Sequence, residues 1–296
     1  MSFRRLLPLV APLVLAACGA PRAAIVAPAQ PALWVARDAD TTVYLFGSIH
    51  ALKPGLGWFD DGVKAAFDKS DQLVLELVAP PPDQMTALVR ELGGADRGPT
   101  LSQQLPPETG REIREALTRA GQPETQLEHD KPWLAAIALS NLPVEALGYD
   151  TDQGVETILS QAAAKQGKPV LGLETAREQL GYFDRLSPAA QRTFLNGALA
   201  GIPTAGKKMD AAVAAWSKGD ADGLARLINE DLKASPELRN ALIGERNRHW
   251  ADWIAARMRR PGTVFIAVGA GHLAGPLALQ AMLAKRGVKF ERMGKR

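Results

Sequence analysis

The chain has 296 residues, with 35 basic and 32 acidic side chains, four histidines and one cysteine. Without Arg4 and Arg5 at the N-terminus, basic and acidic groups differ by one. No basic stripe interleaved with aromatics is present, so nucleic-acid binding is not expected. A single cysteine also excludes an intramolecular disulfide.

Arg4 and Arg5 precede an uncharged apolar run, Leu6 to Ala17, that closes on Leu15-Ala16-Ala17-Cys18. This order reads as a bacterial lipoprotein signal, with residues 1–17 removed and Cys18 lipidated. The run is shorter than the roughly 20 apolar residues a spanning helix needs, and Pro8 and Pro12 interrupt it. The expectation is an exported, lipid-anchored protein of the cell envelope, facing the periplasm or the exterior. Residues 18–31 are rich in Ala and Pro and read as a tether. Residues 32–296, long enough for one large core, are expected to fold as one domain.

Two apolar runs in this domain share a pattern. Val43-Tyr44-Leu45-Phe46 leads into Gly47-Ser48-Ile49-His50, and Thr263 to Val268 leads into Gly269-Ala270-Gly271-His272. Each reads as a buried strand that stops at a glycine and delivers a histidine three residues later. Two further strand-like runs, Leu73-Val74-Leu75-Glu76 and Pro169 to Glu174, end in carboxylates. The order of these segments suggests an approximate internal duplication. Helices are expected over 60–69, 83–92, 107–120, 132–140 and 155–166, the last stopped by Gly167. Ser187-Pro188 and Ser235-Pro236 each read as an N-cap with proline at the first helical position. A final strand is expected over 288–292. Together these predict an α/β (α+β) fold: a mixed central sheet with flanking helices and a helical insertion around 85–150 and 180–260.

Glycine tolerates the sharp turn at a strand end, and the histidine beyond it projects from the sheet edge where ligands usually bind. Two such histidines with neighbouring carboxylates make a set of nitrogen and oxygen ligands for a divalent metal. Glu76 lies between Val74 and Val78 on its own strand face, so it reads as a buried acid needing a partner. Glu174 either joins it or caps the helix beginning near Thr175. His129 falls in a polar loop and reads as surface. A helix over 236–259 places Leu238, Leu242, Ile243, Trp250, Trp253 and Ile254 on one face, with Arg246 in the middle. A guanidinium there either snorkels outward or pairs with a site carboxylate or an anionic part of the substrate. His249, at the edge of the stripe, reads as an ordinary helix residue.

Phe46-Gly47-Ser48-Ile49-His50, Leu75-Glu76-Leu77, Gly172-Leu173-Glu174-Thr175, Glu245-Arg246-Asn247 and Val268 to Leu273 resemble the TraB/GumN family. The resemblance runs from about Leu33 to Phe290. That family includes the Tiki proteins, metal-dependent peptidases acting on secreted signalling proteins, and pheromone-shutdown proteins. The motif layout is also similar to that of erythromycin-esterase-like and certain haem-binding proteins. The resemblance implies that His50 and His272 belong to the active site, with Glu76 and Glu174 as its acids, and that Arg246 and Asn247 are its polar pair on the late helix. One departure is Gly154-Val155-Glu156, where the family carries an aspartate in place of the glutamate.

The functional expectation is a metal-dependent hydrolase, a peptidase acting on a peptide or protein substrate. His50, His272 and Glu76 or Glu174 would hold manganese, cobalt or zinc, and the other glutamate would act as base. The competing expectation is an envelope protein that binds haem, a metal or a small ligand without turnover.

Overall fold

The computed structural model describes residues 27–95, 98–229, 232 and 234–294. The signal, the lipidated Cys18 and most of the tether lie outside the described residues.

The strands are β1 (Ala27–Pro28), β2 (Leu33–Arg37), β3 (Thr41–Ser48), β4 (Leu56–Gly57), β5 (Gln72–Leu77), β6 (Val170–Glu174), β7 (Gly262–Gly269) and β8 (Glu291–Arg292). Six of them form one sheet in the order β6-β5-β7-β3-β2-β8. β6, β5, β7 and β3 run parallel; β2 is added antiparallel to β3, and β8 pairs antiparallel to β2 at that edge. The sheet is the mixed α/β sheet the sequence predicts. β3 and β7, the two strands that carry Gly-x-x-His, are neighbours paired from Thr41↔Gly262 to Ser48↔Gly269. β1 and β4 make a separate two-stranded ribbon.

The helices are α1 (Asp61–Asp68), α2 (Pro82–Gly93), α3 (Pro107–Arg119), α4 (Pro132–Ala146), α5 (Val155–Lys165), α6 (Ala176–Asp184), α7 (Pro188–Gly201), α8 (Ala205–Ser217), α9 (Ala221–Asn229), α10 (Pro236–Arg239), α11 (Arg246–Arg257) and α12 (Leu279–Ala284). Strand alternation sorts the core into two faces. Tyr44, Phe46, Leu73, Leu75 and Phe265 pack with Phe67, Leu159 and Trp216 on one side. Val43, Leu45, Val74, Val264, Ile266 and Val268 pack with Trp250, Ile254, Leu279 and Leu283 on the other. The helical insertion has a core of its own, in which Leu117, Ala135, Leu139 and Leu195 from α3, α4 and α7 meet.

Three elements differ from the sequence expectation. The final strand shrinks to Glu291–Arg292, because only Trp34 and Val35 of β2 pair with it. α4 continues past Ser140 to Ala146 with Pro143 inside it. The helix expected over 236–259 is not regular: α10 passes into a π-helical turn, Asn240–Glu245, before α11 begins at Arg246. This wider winding changes the angular offset between Leu242 and Arg246, and such turns recur at functional sites. Leu238, Ile243, Trp250 and Ile254 are buried as expected, while Leu242 and Trp253 are half-buried.

Candidate functional site

Four parallel strands deliver chemistry at their C-terminal ends, the side on which open α/β sheets bind ligands. In spatial order these are Glu174 on β6, Glu76 on β5, the Gly269–His272 turn after β7, and Ser48 to His50 after β3. The register Ser48↔Gly269 brings the two histidine-bearing turns to adjoining strand ends, although 222 positions separate the histidines along the chain.

Arg246 sits at the centre of the buried half. Its Nη2 is 2.5 Å from Glu76 Oε2 and 2.5 Å from Glu174 Oε1, and its Nε is 3.0 Å from Glu174 Oε1. Nη1 faces His272 Nε2 at 3.1 Å and reaches the Leu242 carbonyl at 3.4 Å. The inward alternative for this residue is therefore the one adopted, and both glutamates are its partners. Glu174 does not cap α6; Thr175 does, in a capping box with Glu178. Gln179 adds a hydrogen bond to Glu174 Oε1 at 2.9 Å. Glu76 Oε1 accepts the Gly269 N–H at 2.6 Å. A Cβ on Gly269 would stand 3.1 Å from that same oxygen, so the glycine keeps the approach open. Val78, its same-face neighbour in sequence, is exposed beyond the strand end; burial of Glu76 comes from Arg246 and the turn after β7 instead.

The hydrogen bonds fix the state of His272. A guanidinium can only donate, so Nε2 accepts from Arg246, and Nδ1 then carries the proton. Nδ1 donates to Asn247 Oδ1 at 2.7 Å, while Asn247 Nδ2 donates to the His272 and Leu277 carbonyls at 3.0 and 2.7 Å. Asn247, fully buried, thus positions the turn and the tautomer. The ring of Trp250 lies 4.4 Å from the imidazole and 4.6 Å from the Arg246 guanidinium carbon. Burial, reinforced by Arg246 and the charge of His50, pushes the His272 pKa down to about 3, so the ring is neutral. Burial works against ionised Glu76, but Arg246, His50 and the Gly269 N–H overcome it and hold its carboxyl at about 2. Burial prevails at Glu174, which is raised from its ordinary value against the pull of Arg246.

His50 is placed differently from its counterpart. Its side chain is 72% exposed at the rim. Nδ1 is 2.8 Å from Glu156 Oε1, and Ser48 Oγ donates to the same oxygen at 2.5 Å. The Glu156 hydrogen bond raises the His50 pKa to about 9, against the opposing cost of desolvation. Glu156, in turn, is lowered from its ordinary value by His50 and Ser48, which outweigh its own burial. α5 brings Glu156 there because Gly154 lets its first turn approach the His50 backbone. A Cβ at Gly154 would fall 2.1 Å from the His50 carbonyl oxygen, and Val155 N–H donates to the Ile49 carbonyl at 3.1 Å. Glu156 and Ser48 were not among the site residues expected from sequence. The only signal was the Gly154-Val155-Glu156 motif, read there as a departure. His129 is exposed, and His249 pairs with Tyr182 Oη at 3.0 Å on the outer side of α11.

The same bonds bear on the metal expectation. Both nitrogens of His272 and both oxygens of Glu76 are engaged, and Arg246 stands between them and Glu174. Among the described residues, no group of three or more His, Cys, Asp or Glu has an arrangement that could hold a metal ion. A cation in the midst of the donors repels another, so the residues as arranged do not fit a metal.

Comparison with known proteins gives three relatives of undescribed activity and no matching solved structure. An uncharacterized protein of Treponema pallidum is 24% identical over 272 residues, covering 86% of this chain and 80% of that protein. The uncharacterized protein YbaP of Escherichia coli K12 is 30% identical over 155 residues, covering 51% of this chain and 55% of its own length. The match to YbaP thus spans about half of each protein. The model of the TraB/PrgY/gumN family matches residues 32–292, from β2 to the final strand and across every residue of the site. On that match, the chain belongs to the TraB/PrgY/gumN family.

Proposed function

We propose that the protein is a hydrolase of the cell envelope, acting on peptide bonds, in which His50 activates water and Glu156 orients and charges it. The observation that carries this reading is the His50–Glu156 pair. Nδ1 is engaged at 2.8 Å while the ring stands open to solvent, so in the neutral form, which gains population as pH approaches its raised pKa of about 9, Nε2 is left for a reacting water. A carboxylate on Nδ1 selects the useful tautomer and stabilises the imidazolium formed when the water proton is taken. The proton then passes from Nε2 to the departing amine, so the site returns to its starting state. Ser48 shares the Glu156 oxygen and keeps the carboxylate facing the ring. The buried Glu76–Arg246–Glu174 cluster lies within electrostatic reach of His50 and supplies a fixed polar wall. Its raised acid, Glu174, is the group there most ready to hold a proton. The apolar run closing on Leu15-Ala16-Ala17-Cys18, which reads as a lipoprotein signal, supports the envelope location.

A binding reading is favoured by one observation: Glu76, Glu174, Arg246, Asn247 and His272 are all engaged with one another, as expected of a site built for rigidity. In that reading the open His50 would hold haem, a metal or a small ligand without turnover.

Peptide-library cleavage by the purified protein, with and without chelator, separates these readings. The expected result is cleavage that survives chelator and disappears in His50→Ala. Loss with chelator and recovery on adding manganese, cobalt or zinc would reinstate the metal reading, with His50, His272 and Glu76 rearranged as ligands. No cleavage by the parent protein would favour the binding role.

A further inference from the structure

The six-stranded sheet ends differently at its two edges. β8 closes one with only Glu291 and Arg292, both exposed, and a short charged edge resists pairing with another chain. β6 forms the other edge, and its stretch Val170 to Leu173 carries no charge. Leu73 N–H donates to the Pro169 carbonyl at 3.0 Å, so residues 169, 171 and 173 turn their backbone polar groups toward β5. Alternation then points the N–H and C=O groups of Val170 and Gly172 outward. Among the described residues, those groups have no hydrogen-bonding partner. The two usual guards of an open edge are both turned away from it. Pro169 lacks its N–H on the side facing β5, and Lys168 donates to the Asp68 carbonyl at 3.0 Å and to that of Ser70. Leu171, 43% exposed, and Val78, 47% exposed just beyond β5, are the most exposed large apolar side chains among the described residues. Val78 borders the edge: a Cβ on Gly172 would stand 3.2 Å from its nitrogen.

We infer that β6 is the seat of a two-fold dimer, in which a second copy of the chain lays its own β6 antiparallel along this edge and joins the two sheets. The inference is independent of the hydrolase reading. With β8 guarded, copies that pair sheet edge to sheet edge must use β6 twice, and a surface paired with itself closes as a dimer instead of growing into a fibre. The exposed leucine selects the register. With Leu171 opposite its own copy, Val170 and Gly172 of each chain lie opposite Gly172 and Val170 of the other and exchange N–H and C=O groups. The two leucines then meet at a non-hydrogen-bonded position, with Cβ atoms about 4.5–5.5 Å apart. No charge on Val170 to Leu173 opposes the approach. A strand of five residues a side falls short of the roughly 20–30 that a standard interface uses. Val78, Pro80 and Leu88, around a cavity of about 600 Å³ that Gly172 also lines, add apolar surface beside the edge, with Gln84 and Arg177 as its polar part.

The test is the mass of the full chain by sedimentation equilibrium, in detergent matched to the solvent density, over about 1 to 100 μM. The expected result is a reversible equilibrium between one and two copies, with a melting temperature that rises with concentration. Leu171→Lys sets like charges opposite each other and removes the leucine contact, so association should weaken roughly tenfold or more. Should that variant not fold, Leu171→Ala, which deletes only the apolar contact, is read in the same way. Leu171→Cys reports the register: mild oxidation should link two chains beyond any link the parent forms through Cys18, its one cysteine. Leu227→Cys, exposed away from the edge, should link no more than the parent. A parent that stays monomeric throughout the range overturns the inference and leaves the edge to an extended segment of another protein. A dimer that survives Leu171→Lys undiminished, or that gains no link in Leu171→Cys, overturns it as well, because the interface then lies elsewhere.

Discussion

Arg246 meets Glu174 side-on, with Nε 3.0 Å and Nη2 2.5 Å from the same carboxylate oxygen, and the same Nη2 also reaches Glu76. One guanidinium therefore offsets two carboxylates in a nearly dry pocket. The arrangement is asymmetric: Glu76 is driven down to about 2, whereas Glu174 is raised by its burial.

Replacing Arg246 by methionine keeps much of the side-chain volume but strands both acids. Breaking a buried pair by removing one partner costs ~3–5 kcal/mol, so a loss of that size is expected in chemical denaturation. Adding Glu174→Gln to the variant should recover part of it, because one of the stranded charges is then gone. A double variant no more stable than Arg246→Met would show that Glu174 is already protonated when the guanidinium is absent.

The buried half of this site was legible because its residues break a pattern. A glutamate inside Leu-Val-Leu-Glu-Leu-Val and an arginine inside an apolar helix stripe are conspicuous. Two strands ending in Gly-x-x-His likewise stood out within the expected mixed sheet, and β3 and β7 are neighbours in it, paired parallel. Glu156 was not legible as a His50 partner. It sits in the first turn of a helix, where acidic residues are common because they favour the positive end of the dipole. Its role depends on Gly154 approaching the His50 backbone, a contact made in space and absent from local sequence. The π-turn at Asn240–Glu245 was invisible for a related reason: a stripe drawn at 100° per residue assumes the regular winding that this segment abandons.

Glu156→Gln removes the charge on His50 Nδ1 while leaving an oxygen to accept its hydrogen bond. The His50 pKa, raised to about 9 by Glu156, should fall toward its ordinary 6.5. If His50 acts as base, parent activity climbs with pH toward about 9, and the variant reaches its lower plateau at a more acid pH. A histidine NMR titration reports the same shift without reference to any substrate. A His50 resonance titrating near 6.5 in the parent would show that the Glu156 contact does not persist in solution.

Acid should destabilise the fold over a window set by His272 and Glu76. The folded His272 has its pKa depressed from 6.5 to about 3, so between these values the unfolded chain binds the proton and the folded one does not. Stability therefore rises with pH from about 3 to 6.5, by up to ~1.4 kcal/mol per pH unit for this one proton. Glu76, depressed from 4.5 to about 2, adds a loss of the same sign as pH falls through that lower window. Urea denaturation of the parent and His272→Gln at pH 7, 5.5 and 4.5 isolates the histidine contribution as the difference in slope. Asp130, raised to about 6 by its burial, and the raised Glu174 and His50 contribute with the opposite sign in both proteins. His272→Gln, which has no proton to take up, should flatten the slope above pH 5 even if it lowers stability throughout.

Gly154→Ala tests whether the approach of α5 is what makes the His50–Glu156 pair. The added Cβ would lie 2.1 Å from the His50 carbonyl oxygen and 2.9 Å from that of Thr151, both backbone atoms that no rotamer can move aside. Gly154 has φ −61° and ψ 151°, which alanine adopts without strain, so any loss comes from the contact alone. Relieving the overlap must push α5 away from the turn after β3, stretching the Val155–Ile49 hydrogen bond and drawing Glu156 off Nδ1. The expected stability loss is ~1–3 kcal/mol, the usual cost of overpacking. The His50 pKa should fall together with it, since its elevation depends on Glu156. An alanine variant that loses stability but keeps a His50 pKa near 9 would show that the pair is held by Ser48 and the turn after β3, independently of where α5 begins.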